Sequence, residues 1–314
     1  MVNQETLPVA PAEAMQFGRT LQRLLQRILL ADPVHGPVYI AKIDIADGFY
    51  RVALNPRDTP KLAVLLPQIG NEEPMVAIPH VLPMGWVASP PYFSAVTETA
   101  ADVMNHRLPQ AKEEPPHRLE LVALPPTVVS TAPTEIAAAN ATRIPSAAPI
   151  ATATPVPTLQ PTTAIHTPGY RRPIRYANVY VDDFLALIQG NKHQRLQTMR
   201  TILHVLDLVL RPLDPSDGNF RQEPASVKKL KKGDANWSTK KVVLGWAVDT
   251  VAKTIELPPH HVEQLHLILD SIQPNQKRTT AKVWHKLLGE LRSMALAIPG
   301  ARGLSCQRKS KCNS

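Results

Sequence analysis

Between residues 109 and 168 the chain holds twelve of its thirty-two prolines and no glycine, phenylalanine, tyrosine or tryptophan. Alanine and threonine fill much of the stretch, so it has few large apolar groups to offset the entropy of ordering sixty residues. Any core must therefore be assembled from the two flanks, with residues 109–168 as a flexible or extended insert. A disordered segment of that length spans roughly 45 Å on average, which lets its ends return to one domain. The insert divides the sequence without dividing the fold.

The 314 residues leave room for one large domain or two ordinary ones. A net charge of +9 and a pI near 9.6 favour a polyanionic partner, nucleic acid first and an acidic membrane surface second. The only cysteines, Cys306 and Cys312, provide no disulfide framework, and without nearby histidines they make a poor metal site. A reducing compartment follows. No run of about eighteen apolar residues is present, and the first residues lack the pattern of a signal peptide. The expectation is an intracellular chain without membrane association, cytoplasm and nucleus being undistinguished.

Hydrophobic spacing places a helix over 17–29, with Phe17, Leu21, Leu24, Leu25, Ile28 and Leu29 on one face. Residues 38–54 alternate like a strand that breaks at Asp47-Gly48 and resumes, and two short strands flank Gly70-Asn71. A helix over 89–108 carries its prolines in the first turn, where they are tolerated. After the insert, two strands flank Asp182-Asp183, and an amphipathic helix follows with Leu196, Met199, Ile202, Leu203 and Leu206 inward. A strand pair over 241–258 and helices near 259–272 and 280–297 complete the reading; Val283, Trp284, Leu287, Leu288 and Leu291 form the last helix's buried face. Residues 305–314 read as a basic tail.

The segment "YANVYVDDFLALIQG" (176–190) sets two adjacent carboxylates inside an apolar run. At about 4 Å two such charges repel by about 4 kcal/mol at an effective dielectric of 20, so water, a raised pKa or a bound cation must relieve them. A solvated turn is the plain explanation. The strand formers on both sides argue against a fully exposed loop. Asp44, in "KIDIADGFYRV", likewise interrupts an apolar strand, whereas Asp47 suits an ordinary Asp-Gly turn. Three strand-borne carboxylates suit a pair of Mg²⁺ ions, which take hard oxygen ligands and are completed by substrate phosphates.

Four segments in register then resemble one family. "YVDD" (180–183) and "DIADGF" (44–49) are similar to the two aspartate motifs of retrotransposon-type reverse transcriptases. "LPMGWVASPPYF" (82–93) resembles the segment between them, and "VVLGWAVD" (242–249) the hairpin that grips the primer. The resemblance implies a palm-type α+β fold: an antiparallel sheet with helices on one face, partial fingers and a thumb-like helical C-terminus. It implies RNA-directed DNA synthesis, with Asp44, Asp182 and Asp183 as the catalytic triad binding two Mg²⁺ (Mn²⁺ as the alternative), Asp44 and Asp182 closest to both ions and Asp183 in support. Ile45 would complete a coordination sphere through its carbonyl, and Phe49 would lie under the nucleotide sugar and exclude a 2′-hydroxyl. Met84 and Gly85 would pass beside nucleotide and template, and Leu244 and Gly245 would position the primer end. The implied partners are an RNA or DNA template with primer and deoxynucleoside triphosphates.

The lysines of "KKLKKGDANWSTKK", Lys228, Lys229, Lys231, Lys232, Lys240 and Lys241, read either as a solvated loop or as phosphate contacts. Their place just before the primer-grip match favours the second. Met84 stands where the family most often has glutamine, and forty-three residues precede Asp44, which leaves Arg19, Arg23 and Lys42 as candidates for the triphosphate contacts. The expected organisation is a tail and partial fingers helix (1–37), a first palm part (38–108), the insert (109–168), a second palm part (169–250), a thumb-like region (251–304) and the basic tail, as a fragment of a mobile-element polyprotein. Two rival readings stand beside it: a non-catalytic nucleic-acid-binding remnant, and a metal-dependent nuclease, which gives no reason for Phe49.

Overall fold

The structure, a computed structural model, describes residues 2–5, 11–68, 70–71, 73–110, 113–124, 172–212, 214–218, 220, 222–272 and 278–294. In chain order these form α1 (Val2–Glu5), α2 (Thr20–Leu29), β1 (Val38–Asp44), β2 (Val64–Leu65), β3 (Val76–Ala77), α3 (Ser89–Arg107) and α4 (Glu120–Ala123). There follow β4 (Arg175–Tyr180), β5 (Asp183–Gln189), α5 (Lys192–Leu210), α6 (Val227–Lys231), β6 (Lys240–Val243), β7 (Trp246–Asp249), β8 (Thr254–Glu256), α7 (Pro259–Asp270) and α8 (Ala281–Met294). The class is α+β with small antiparallel sheets.

The central sheet has the order β1-β5-β4, all neighbours antiparallel. Because side chains alternate across a strand, Ala41, Ile43, Phe184, Ala186, Ala177 and Val179 share one face. That face packs on α3 through Ala100, Ala101 and Met104 and on α5 through Met199, Ile202, Leu203 and Leu206. Val38, Ile40, Leu185 and Leu187 share the other face, covered by Leu24 and Ile28 of α2 and by Val243 and Val248 of the β6-β7-β8 sheet. With both faces covered, β5 has to be apolar at every interior position, which is why "FLALI" does not alternate.

Both sheet edges are closed, which removes the unpaired backbone groups an edge strand presents. The outer edge of β1 exchanges bonds with the chain around α6: Ile40 N–H donates to the Ser238 carbonyl (2.8 Å), Lys42 N–H to Asp234 (3.1 Å) and Ser226 N–H to Asp44 (2.8 Å). The β4 edge is met by the Asn105 amide, which donates to the Ala177 carbonyl and accepts from its N–H, both at 2.8 Å. Thr250 Oγ1 donates to the Val38 carbonyl at 2.6 Å and locks the second sheet onto the first.

Several expectations are corrected. Residues 17–19 form a 3-10 turn before the α-helix starts at Thr20, and Leu29, one position round the helix from the buried Ile28, is exposed. The strand does not resume after Asp47; Gly48–Arg51 is a 3-10 turn. Leu291 is exposed, while Leu287 is buried. Residues 113–124, expected within the insert, pack on α5 instead. Leu119 and Ala123 join the main core, and Arg200 donates to Glu120 through Nε (2.6 Å) and Nη2 (3.0 Å). Arg118 forks between Asp207 and Glu223, with bonds of 2.7 Å to each. This run, "HRLELVAL", carries the leucines and paired charges that the Pro/Ala/Thr stretch lacks, and those supply the contacts that repay its ordering. Residues 125–168 and the basic tail lie outside the described residues.

Candidate active site

The β1–β5 register sets Asp44 directly opposite Asp183 at the end of the sheet, on the same face. Lys42 lies two residues before Asp44 and therefore on that face too. Its Nζ is 3.3 Å from Asp44 Oδ1 and 3.1 Å from Asp183 Oδ2. A second ammonium arrives from α6, with Lys229 Nζ 2.8 Å from Asp44 Oδ2. The bridge of Ile45 to Ala225 and the Ser226 bond to Asp44 fix α6 where this reach is possible.

Asp44 is 7% exposed, and its Oδ1 accepts no hydrogen bond. Burial pushes the Asp183 carboxyl up to about 7, and a hydrogen bond to Asp44 adds to the rise while Lys42 opposes it. Burial acts to raise Asp44 as well, but the hydrogen bonds from Lys229 and Asp183 and the charge of Lys42 outweigh it and hold Asp44 below its ordinary value. The proton of the pair thus sits on Asp183, which meets one ammonium where Asp44 meets two. Burial acts to lower Lys42, and the two carboxylates overcome it and raise it; the hydrogen bond to Asp44 raises Lys229.

Val181 and Asp182 form the two-residue turn between β4 and β5. Val181 has φ 58°, a left-handed conformation that a β-branched residue rarely adopts. Asp182 is exposed there, and its carbonyl accepts from Ile45 N–H at 3.0 Å. The structure therefore brings Asp44 and Asp183 together and leaves the Asp182 side chain at the neighbouring solvent-facing turn. Among the described residues, no group of three or more His, Cys, Asp or Glu side chains gathers within metal-ligating reach. The donor chemistry of the facing pair nonetheless fits a hard divalent cation: carboxylate oxygens, one of them buried with the Lys42 ammonium beside it.

The other expected residues are held in place by differing routes. Phe49 stacks on Phe93, ring centroids 4.6 Å apart, and so joins the two motifs on either side of β2 and β3. Gly48 is required beneath them, since a Cβ there would come within 2.6 Å of Phe93 Cζ. Leu82 N–H donates to the Val52 carbonyl (2.9 Å) and anchors the loop that carries Met84 and Gly85. Met84 is 69% exposed and Gly85 has φ 95°. The Asn3 amide bonds to this loop, donating to the Gly85 carbonyl and accepting from Val87 N–H, both at 3.0 Å. Ile45 contributes its side chain to the core. Leu244 and Gly245 form the β6–β7 turn, with φ 51° and 81°, the pattern of a two-residue hairpin turn.

The lysines divide. Lys229 is engaged with Asp44, and Lys241 donates to the Asp234 (2.6 Å) and Asn236 (2.8 Å) carbonyls, burial lowering its pKa. Lys241 thus closes its own loop instead of facing outward. Lys228, Lys231, Lys232 and Lys240 are exposed. Lys42, expected only at the triphosphate, thus belongs to the carboxylate pair; the period of two along β1 is the signal that it shares a face with Asp44. No protein-family model matches the chain, and no curated protein matches it. No helix of the described residues is long and apolar enough to cross a membrane.

Proposed function

We propose that the chain is the polymerising core of a retrotransposon-type reverse transcriptase, carrying out RNA-directed DNA synthesis on a primed template. The observation that supports this most is the register pairing of Asp44 with Asp183, which joins the two aspartate motifs at one end of one sheet. The central sheet with α3 and α5 then serves as the palm, β2 and β3 as partial fingers, and α7 with α8 as a thumb-like end. Asp44, Asp182 and Asp183 are the residues to hold Mg²⁺, with Asp182 turning inward from its exposed turn. Bound there, Mg²⁺ supplies the positive charge that acidifies a primer 3′-hydroxyl and neutralises the leaving pyrophosphate.

The chain's own groups do the rest. Phe49, fixed against Phe93, presents a rigid ring to the sugar of a deoxynucleoside triphosphate and leaves no room for a 2′-hydroxyl. Gly85, without a side chain, admits nucleotide and template beside its backbone. The exposed lysines Lys228, Lys231, Lys232 and Lys240 hold template–primer phosphates without reading sequence. Leu244 and Gly245 orient the primer end from their turn.

Primer extension on an RNA template with Mg²⁺ and deoxynucleotides tests the proposal. Extension by the wild type that disappears in Asp44→Asn and in Asp182→Asn is the expected result. The exposed side chain of Asp182 favours one second reading, a catalytically silent nucleic-acid binder. Salt-sensitive template binding without extension, unchanged by either substitution, selects that reading.

A further inference from the structure

We propose that Lys42 is a resident counter-cation, whose ammonium occupies the seat between Asp44 and Asp183 that a divalent cation would take, so that metal enters only as Lys42 leaves. This inference rests on the reading of that carboxylate pair as a metal site. Three features of the structure carry it.

The first is position. Lys42 Nζ lies between one oxygen of each carboxylate, 3.3 Å from Asp44 Oδ1 and 3.1 Å from Asp183 Oδ2. A divalent cation held by the pair would compete with Lys42 for these carboxylates. An ammonium has donors only and no lone pair for a metal, so the two cations exclude each other. The second is the burial of the inner oxygen beside Lys42. Asp44 Oδ1 is buried without a hydrogen bond, whereas Oδ2 is already held by Lys229 from a more exposed side. Lys42 is thus the group that neutralises the inner oxygen of a residue 7% exposed.

The third is freedom of movement at a fixed root. The Lys42 backbone is locked by β5 on one side and by the Asp234 carbonyl on the other. Its side chain is 21% exposed and ends in a flexible four-carbon stem, so the ammonium can swing out without unpairing the strand. A nucleoside triphosphate arriving with the metal gives the released ammonium a second anion. Cation and nucleotide then strengthen each other's binding, as linkage requires.

Titration of Mn²⁺ alone, followed by calorimetry and by its paramagnetic resonance signal, tests this on the full chain as wild type, Lys42→Met, Lys42→Arg and Asp44→Asn. Methionine keeps the length of the stem and removes the charge. The expected result is Mn²⁺ affinity at least ~10-fold higher in Lys42→Met than in wild type, since a competing unit charge a few ångströms away is gone. Lys42→Arg should bind no better than wild type, and Asp44→Asn should lose binding. If Lys42→Met binds Mn²⁺ equally or more weakly while Asp44→Asn still abolishes it, the inference is overturned and the carboxylate site stands. If Asp44→Asn binds as the wild type does, the site itself is wrong and the inference goes with it. Should Lys42→Met fail to fold by circular dichroism, Lys42→Arg decides: Mn²⁺ binding no stronger than in wild type supports the inference, and stronger binding overturns it.

Discussion

Asp183→Asn should stabilise the metal-free protein at neutral and alkaline pH, against the usual cost of mutating a part-buried polar residue. Burial raises Asp183 from 3.8 to about 7 in the folded chain, and its hydrogen bond to Asp44 adds to the rise. A carboxyl that keeps its proton longer in the folded than in the unfolded chain removes stability as pH rises. The loss is absent below about pH 4 and complete above about pH 7. The shift corresponds to about 4 kcal/mol at 1.36 kcal/mol per unit. Solvent reaches this side chain, which is 20% exposed, so screening cuts the figure to about 2 kcal/mol. Asparagine also brings an N–H₂ that can donate to Asp44 Oδ1, which accepts no hydrogen bond. Urea unfolding in EDTA, read from tryptophan fluorescence at pH 4 and pH 8, measures the difference between the two chains. A gain of about 2 kcal/mol at pH 8 that shrinks towards pH 4 is expected. A loss of stability at pH 8, or a difference independent of pH, would refute the account of the pair.

Gly48→Ala forces a Cβ to 2.6 Å from the fully buried ring of Phe93, so it should cost about 1–3 kcal/mol in urea unfolding. Arg118→Met leaves Asp207 and Glu223 without their fork and should cost about 1–3 kcal/mol at pH 7, with faster proteolytic cleavage near residues 113–124. Burial acts to raise Asp207, but hydrogen bonds from His117 and Arg118 hold it well below the usual carboxylate range. Stability from such a group is present above the unfolded pKa and lost in acid, so Arg118→Met and wild type should converge as pH falls below about 4. Asn191→Ala removes the capping box with Gln194 at the start of α5 and should cost about 1 kcal/mol, seen as a lower thermal midpoint.

Much of the local structure was legible without coordinates. The strands either side of Asp182-Asp183, the helices over 89–107 and 192–210 and the β6–β7 hairpin follow from period, turn residues and caps, all properties of neighbouring residues. So was the tension in the site, since carboxylates inside apolar runs need a relieving charge wherever they end up. Tertiary structure decided which charge meets which carboxylate. Local pattern carries no information on register between β1 and β5, on the landing of α6 beside Asp44, or on the outward side chain of Asp182. It could not show that Lys241 turns inward to carbonyls while Lys240 stays in water. The packing of residues 113–124 was missed for a related reason: proline count describes a stretch on average, while Leu119 and Arg118 gain their value only from partners on α5 and beyond. Periodicity fixes which face a side chain occupies, and only long-range pairing, through backbone bonds between segments far apart in the chain, fixes what that face meets.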